Sequence, residues 1–132
     1  MLTLICGRSR AGKTTYSQRY ADVLHCDSVH AHMGEKYPKI YELVSHEDDI
    51  VLDGLFETAE MRIGLLHAYK GDAPKKCIWL DTDIKTVALR TTHGRSDSEK
   101  YARPHIFEPP TFDEGWDEII IIRGDDEQRI SK

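Results

Sequence analysis

The apolar run Leu2-Thr3-Leu4-Ile5-Cys6 passes directly into Gly7-Arg8-Ser9-Arg10-Ala11-Gly12-Lys13-Thr14, which fits the pattern G-x-x-x-x-G-K-[ST] at every position. Its two glycines allow a tight backbone wrap that side-chain-bearing residues make only at a cost. Beyond it, Tyr16, Tyr20, Val23 and Leu24 recur at i, i+4, i+7 and i+8, the apolar face of a helix. The segment is therefore constrained to run buried strand, tight loop, helix. In that arrangement the loop N–H groups turn inward and meet the positive end of the helix, forming a seat for a phosphate-like anion.

The rest of the chain repeats the alternation. Val23 to Asp27 closes the first helix and supplies a brief second strand, and Pro38 opens a helix carrying Ile40, Tyr41 and Val44. Ile50-Val51-Leu52-Asp53-Gly54 reads as a third strand. Thr58 caps a helix with Met61, Leu65, Ala68 and Tyr69 on one face, ended by Gly71. Cys77 to Asp81 is a fourth strand, and Asp83 caps a helix to about Arg90, with Ile84, Val87 and Ala88 inward. Residues 92–112 are irregular, and Ile119-Ile120-Ile121-Ile122 is a fifth strand. Alternating strands and helices imply parallel pairing with right-handed crossovers. The expected fold is a single three-layer α/β domain over residues 1–132, with a mostly parallel five-stranded sheet and a lid region at 92–105.

Several function classes drop out. No apolar run approaches the roughly 18 residues that cross a bilayer, and Met1 to Cys6 lacks the basic lead of a signal peptide. Cys6, Cys26 and Cys77 show no C-x-x-C spacing, which argues against a disulfide framework and a cysteine zinc site and for a reducing cytoplasm. Of seven histidines only His30-x-His32 is a close pair, with no cluster to complete four metal ligands. The net charge is -5, yet eight acids between Glu108 and Glu127 meet only Arg123 there, so the remainder is mildly basic. Overall acidity disfavours indiscriminate nucleic-acid binding and leaves room for a local basic groove.

The chemistry expected at the loop is that of a nucleoside triphosphate with magnesium. Gly7, Arg8, Ser9, Arg10, Ala11, Gly12, Lys13, Thr14 and Thr15 would surround the phosphates. Lys13 would reach the β- and γ-phosphates, and the Thr14 hydroxyl would bind Mg²⁺. The side chains of Arg8 and Arg10 either face solvent or add charge near the nucleotide. In a parallel sheet the ligand crevice lies beyond the carboxyl ends of the strands, where Asp27, Asp53 and Asp81 fall. Asp53, after three apolar residues, suits a metal-organising acid, or alternatively a cap of the Gly54 turn. Asp27 suits the base for an acceptor hydroxyl, or a helix cap, and Asp81 before Thr82-Asp83 reads as a structural cap. Arg90 and Arg95 suit a mobile lid that bridges phosphoryl oxygens, although a helix end also favours a cation at Arg90. Arg62, on the polar face of its helix, either meets an acceptor phosphate or is solvated.

From Leu2 to about Ile122 the chain resembles the polynucleotide-kinase-like branch of the P-loop kinases. The resemblance rests on Gly7–Thr14, Asp27, Val51-Leu52-Asp53-Gly54 with Arg62, Trp79-Leu80-Asp81, and Arg90 with Arg95. Its most specific part is Phe107-Glu108-Pro109-Pro110-Thr111-Phe112-Asp113-Glu114-Gly115-Trp116, which looks like the Pro-Thr-x-x-Glu-Gly-aromatic segment closing 5′-polynucleotide kinase domains. The resemblance implies a kinase using ATP or GTP with Mg²⁺, Asp27 activating the acceptor hydroxyl, and Arg90 or Arg95 in the lid. Two positions depart from the family pattern. Thr91 stands where Asn often follows the first lid arginine, and Cys26-Asp27-Ser28-Val29-His30 lacks the arginine that commonly binds acceptor phosphate. The acceptor thus stays open between the 5′-hydroxyl of a nucleic acid and a nucleoside or other small metabolite. A nucleotide-binding regulatory module without transferase activity is the reading from another class.

Overall fold

The computed structural model describes residues 1–8, 12–26, 36–81, 107–124 and 126–131, the side chains of Thr14 and Ser131 apart. Strand β1 (Leu2–Gly7) is buried along its whole length. It lies at the centre of the sheet between β3 (Ile50–Gly54) and β4 (Lys75–Leu80), parallel to both. The full order is β2-β3-β1-β4-β5-β6, with β2 at Leu24–His25, β5 at Glu118–Arg123 and β6 at Asp126–Ser131. Every pairing is parallel except β5 with β6.

Both faces of β1 are buried because both are covered. Leu2, Leu4 and Cys6 join Leu52, Cys77 and Ile119 on one face, against Ile40 and Val44 of α2 (Lys36–Ser45) and Leu65 and Leu66 of α3 (Ala59–Ala68). Ile5 joins Ile78, Leu80 and Ile120 on the other, where Tyr16 of α1 (Lys13–Ser17) and Tyr20 pack. Each fully buried large apolar side chain contributes roughly 1.5–3 kcal/mol relative to exposure. The three-layer α/β architecture expected from the alternation is the one present. Among the described residues, no helix is long and apolar enough to cross a membrane.

Two local expectations change. Helix α1 is shorter than the spacing of Tyr16, Tyr20, Val23 and Leu24 suggests: it ends at Ser17 and tightens into turns in which the Arg19 N–H donates to Tyr16 O at 3.2 Å and the Tyr20 N–H to Ser17 O at 3.0 Å. Leu24 is drawn instead into β2, opposite Leu52. The sheet also has six strands rather than five. After Gly124, at φ 62°, the chain reverses so that Arg123 faces Asp126 and Glu118 faces Ser131. Strand β6 is mostly exposed and polar, as suits an edge that must not recruit another chain. The helix expected from Asp83 to about Arg90 and the lid at 92–105 lie outside the described residues.

Helix α3 starts as expected. Thr58 is extended, and its side chain accepts from the Met61 N–H at 3.2 Å, while the Ala59 N–H donates to Glu108 Oε1 at 3.3 Å. Thr58→Ala is expected to cost about 1 kcal/mol, read as a lower urea midpoint at unchanged slope.

Candidate functional site

The carboxyl ends of β1, β3 and β4 meet at one level, with Cys6 opposite Gly54 and Gly7 opposite Leu80. There the chain leaves β1 at Gly7 and re-enters regular structure at Gly12, whose φ of 100° favours glycine. Lys13, the first residue of α1, is buried, and its Nζ donates to Gly7 O at 3.0 Å and to Arg8 O at 2.8 Å. The ammonium is thus folded into the mouth of the loop, where an arriving phosphate oxygen would compete with two carbonyls. The first turn of α1 holds no acid. Arg8 brings a second cation: its NH1 is buried with no hydrogen-bond partner among the described residues. Such a group costs roughly 1–3 kcal/mol. Thr15 is exposed, whereas Ser9, Arg10, Ala11 and the Thr14 side chain lie outside what the structure describes.

Asp53 sits one strand away, opposite Ile5 of β1 and His25 of β2. Its carboxylate is buried, and Oδ2 lies 2.8 Å from Nδ1 of the half-exposed His25. That contact, and not a cap of the Gly54 turn, is what its carboxylate makes among the described residues. Gly54 has a separate reason to be glycine, since a Cβ there would lie 3.0 Å from the Phe56 ring and 3.1 Å from the Cys26 Cβ. His25 was legible only as one of seven histidines. The parallel register that pairs it with Asp53 is the missing information. Asp27, Arg90, Arg95, His30 and His32 lie outside the described residues.

The donor set suits magnesium, which prefers hard oxygen ligands and keeps several waters or substrate oxygens. Asp53 offers a buried carboxylate beside the loop. Among the described residues no three His, Cys, Asp or Glu side chains converge on a metal position, and a site completed by substrate phosphates does not require them.

Arg62 corrects an expectation. It neither faces solvent nor is open to an acceptor phosphate: it is fully buried. Its Nε donates to Glu114 Oε1 at 2.8 Å, NH2 to Glu114 Oε2 at 3.1 Å and to Glu108 O at 2.7 Å, and NH1 to Phe56 O at 2.7 Å. Burial opposes the guanidinium charge, but the hydrogen bond and charge of Glu114 outweigh it, so Arg62 titrates above its ordinary value. Glu114 is as deeply engaged, accepting also from Trp116 Nε1 at 3.0 Å and the Thr111 N–H at 3.2 Å. Phe107 stacks on Trp79 with ring centroids 5.7 Å apart. The segment 107–116 is therefore a clamp that fastens the chain to α3 and to the loop after Asp53. In that loop Phe56 holds a left-handed φ of 38° with its carbonyl pinned by Arg62.

Asp81 accepts from Arg123 Nε at 2.7 Å, which ties the end of β4 to β5, while the residues it is expected to cap lie outside the described residues. A cavity of about 620 Å³ opens at the other end of the sheet, lined by Tyr20, Val23, Leu24, Leu43, Ile50 and Val51, away from the loop.

This architecture is similar to that of a fungal RNA kinase, known from its crystal structure. The superposition has a TM-score of 0.53 at 14% sequence identity and covers 95% of this chain and 77% of that one. The two share a fold. No family model matches the sequence. No curated protein matches it either.

Proposed function

We propose that the chain is a phosphotransferase that moves the γ-phosphoryl of ATP to a hydroxyl, that hydroxyl being the 5′-hydroxyl of a polynucleotide. The observation that carries the reading is Lys13 held inside a glycine-gated loop at the end of the central strand, one strand from buried Asp53. Thr14 and Asp53 would hold Mg²⁺. When bound, the metal neutralises charge on the β- and γ-phosphoryl oxygens. Lys13 exchanges its carbonyl partners for phosphate oxygens, and the Asp53 carboxylate is oriented by its 2.8 Å contact with His25. The acceptor oxygen attacks phosphorus, the bond to the β-phosphate oxygen breaks, ADP leaves, and Asp27 takes the hydroxyl proton. Arg90 and Arg95 would close over the phosphoryl group from the lid. Positioning and electrostatics supply most of the acceleration in this class of reaction. The fold shared with an RNA kinase supports a polynucleotide acceptor.

A small-metabolite acceptor is the second reading, favoured by the exposed acids Asp126 and Glu127 on β6, which repel a phosphodiester chain. Incubation with γ-labelled ATP and magnesium, offering a 5′-hydroxyl oligonucleotide or a panel of nucleosides, separates the two. The proposal expects label on the oligonucleotide, and expects Asp27→Asn to remove transfer while magnesium nucleotide still binds. Label on nucleosides alone selects the second reading. Absence of transfer to any acceptor, or full transfer by Asp27→Asn, overturns the mechanism.

A further inference from the structure

Arg8 carries a charge that nothing described in the fold uses. Its NH1 is buried and without a hydrogen-bond partner among the described residues, although nearly all buried donors in folded proteins have one. Among the described residues, the acids at the carboxyl ends of β3 and β4 pair with other cations, Asp53 with His25 and Asp81 with Arg123. Its position is also informative. Arg8 follows Gly7 directly, and its own carbonyl accepts from Lys13 Nζ at 2.8 Å, so its backbone is part of the wall that Lys13 closes. The motif demands no particular residue at this place, because backbone amides and the lysine carry the binding. A guanidinium there is more than the motif requires. Its planar fork matches two oxygens of a phosphate group.

We infer that the Arg8 side chain is a further phosphoryl ligand, binding a phosphate group brought to the loop by the nucleotide or by the acceptor. The inference rests on the phosphotransferase reading and deepens it, by giving the site one more cation than the loop pattern requires. Two sources present the same chemistry: the terminal phosphoryl of the triphosphate, and a phosphate already on the acceptor beside the hydroxyl to be modified. In either case NH1 gains the partner it lacks, and a ligand without that phosphate gains nothing from Arg8.

The test compares wild type with Arg8→Gln and Arg8→Lys. It measures the affinities of magnesium ATP and ADP by calorimetry, and the KM for a nucleoside with and without a 3′-phosphate. With the nucleotide as source, Arg8→Gln weakens ATP about ten- to hundredfold and ADP far less, and Arg8→Lys recovers part of the loss. With the acceptor as source, nucleotide affinities hold and KM rises only for the 3′-phosphorylated nucleoside. Any loss confined to phosphate-bearing ligands supports the inference. Unchanged values throughout overturn it, as do equal losses for phosphorylated and unphosphorylated ligands that track a lowered melting temperature. Wild type that binds no nucleotide defeats the phosphotransferase reading and this inference with it. Wild type that binds and transfers, with Arg8→Gln indistinguishable from it, defeats the inference alone.

Discussion

Lys13→Ala is expected to lower the rate of phosphoryl transfer by about 10²–10³, the usual cost of deleting one preorganised charge donor at a transition state. The lysine is already inside the loop, held by Gly7 O and Arg8 O, so it loses little side-chain freedom when a phosphate replaces those carbonyls. Its interaction is strongest where charge builds on the γ-phosphoryl oxygens, so the loss belongs mainly in kcat. Single-turnover rates with labelled ATP check this. The melting temperature of the free variant provides the control, because a rate lost through unfolding falls with it. A rate unchanged within threefold would remove Lys13 from the mechanism.

Glu114→Ala is expected to be the most damaging single change to stability, at about 3–5 kcal/mol, because it leaves a buried guanidinium without its counter-charge. Arg62 is fully buried and the Glu114 side chain is 3% exposed, so water cannot stand in for the missing carboxylate. The same carboxylate accepts from Trp116 and the Thr111 amide, which would lose their partner too. Against a typical total of about 5–15 kcal/mol, such a loss removes a large share of the folding free energy. Glu114→Gln keeps much of the shape with no charge and should fall between Ala and wild type. Urea denaturation of the three proteins checks the order. A loss below about 1 kcal/mol for Ala would show that the pair is dispensable, as some buried pairs are when the protein can repack around them.

What could be read from the chain depended on how far apart the interacting residues lie. The strand-loop-helix around Gly7–Thr14, the strand ending at Asp53-Gly54 and the Thr58 cap are each written within one short stretch of chain. Short-range sterics and hydrogen bonding suffice to specify them. Strand β6 carried a local signal as well, the Gly124-Asp125 pair between two extended segments, a dipeptide suited to a two-residue hairpin turn. Its polar sequence hid it, since an edge strand is held by backbone pairing and needs little apolar content.

Arg62 departs from its expected place for a different reason. Charge alone suggests solvent, and so the polar face of α3. Yet Arg62, Leu65, Leu66 and Tyr69 stand at i, i+3, i+4 and i+7, and these are the positions that are buried. An arginine within an apolar stripe signals a buried acid elsewhere. That acid, Glu114, lies 52 residues further along, beyond what periodicity can locate. The pairing of His25 with Asp53 is hidden in the same way, because it follows from sheet register alone. Asp27, Arg90 and Arg95 rest on motif and resemblance, since they fall outside the described residues.

The most direct measurement is a crystal structure of the chain with magnesium and a non-hydrolysable ATP analogue. The account predicts the β- and γ-phosphates enclosed by residues 7–14, with Lys13 Nζ transferred from Gly7 O and Arg8 O to phosphate oxygens. Nucleotide bound elsewhere, with Lys13 still on those two carbonyls, would contradict it.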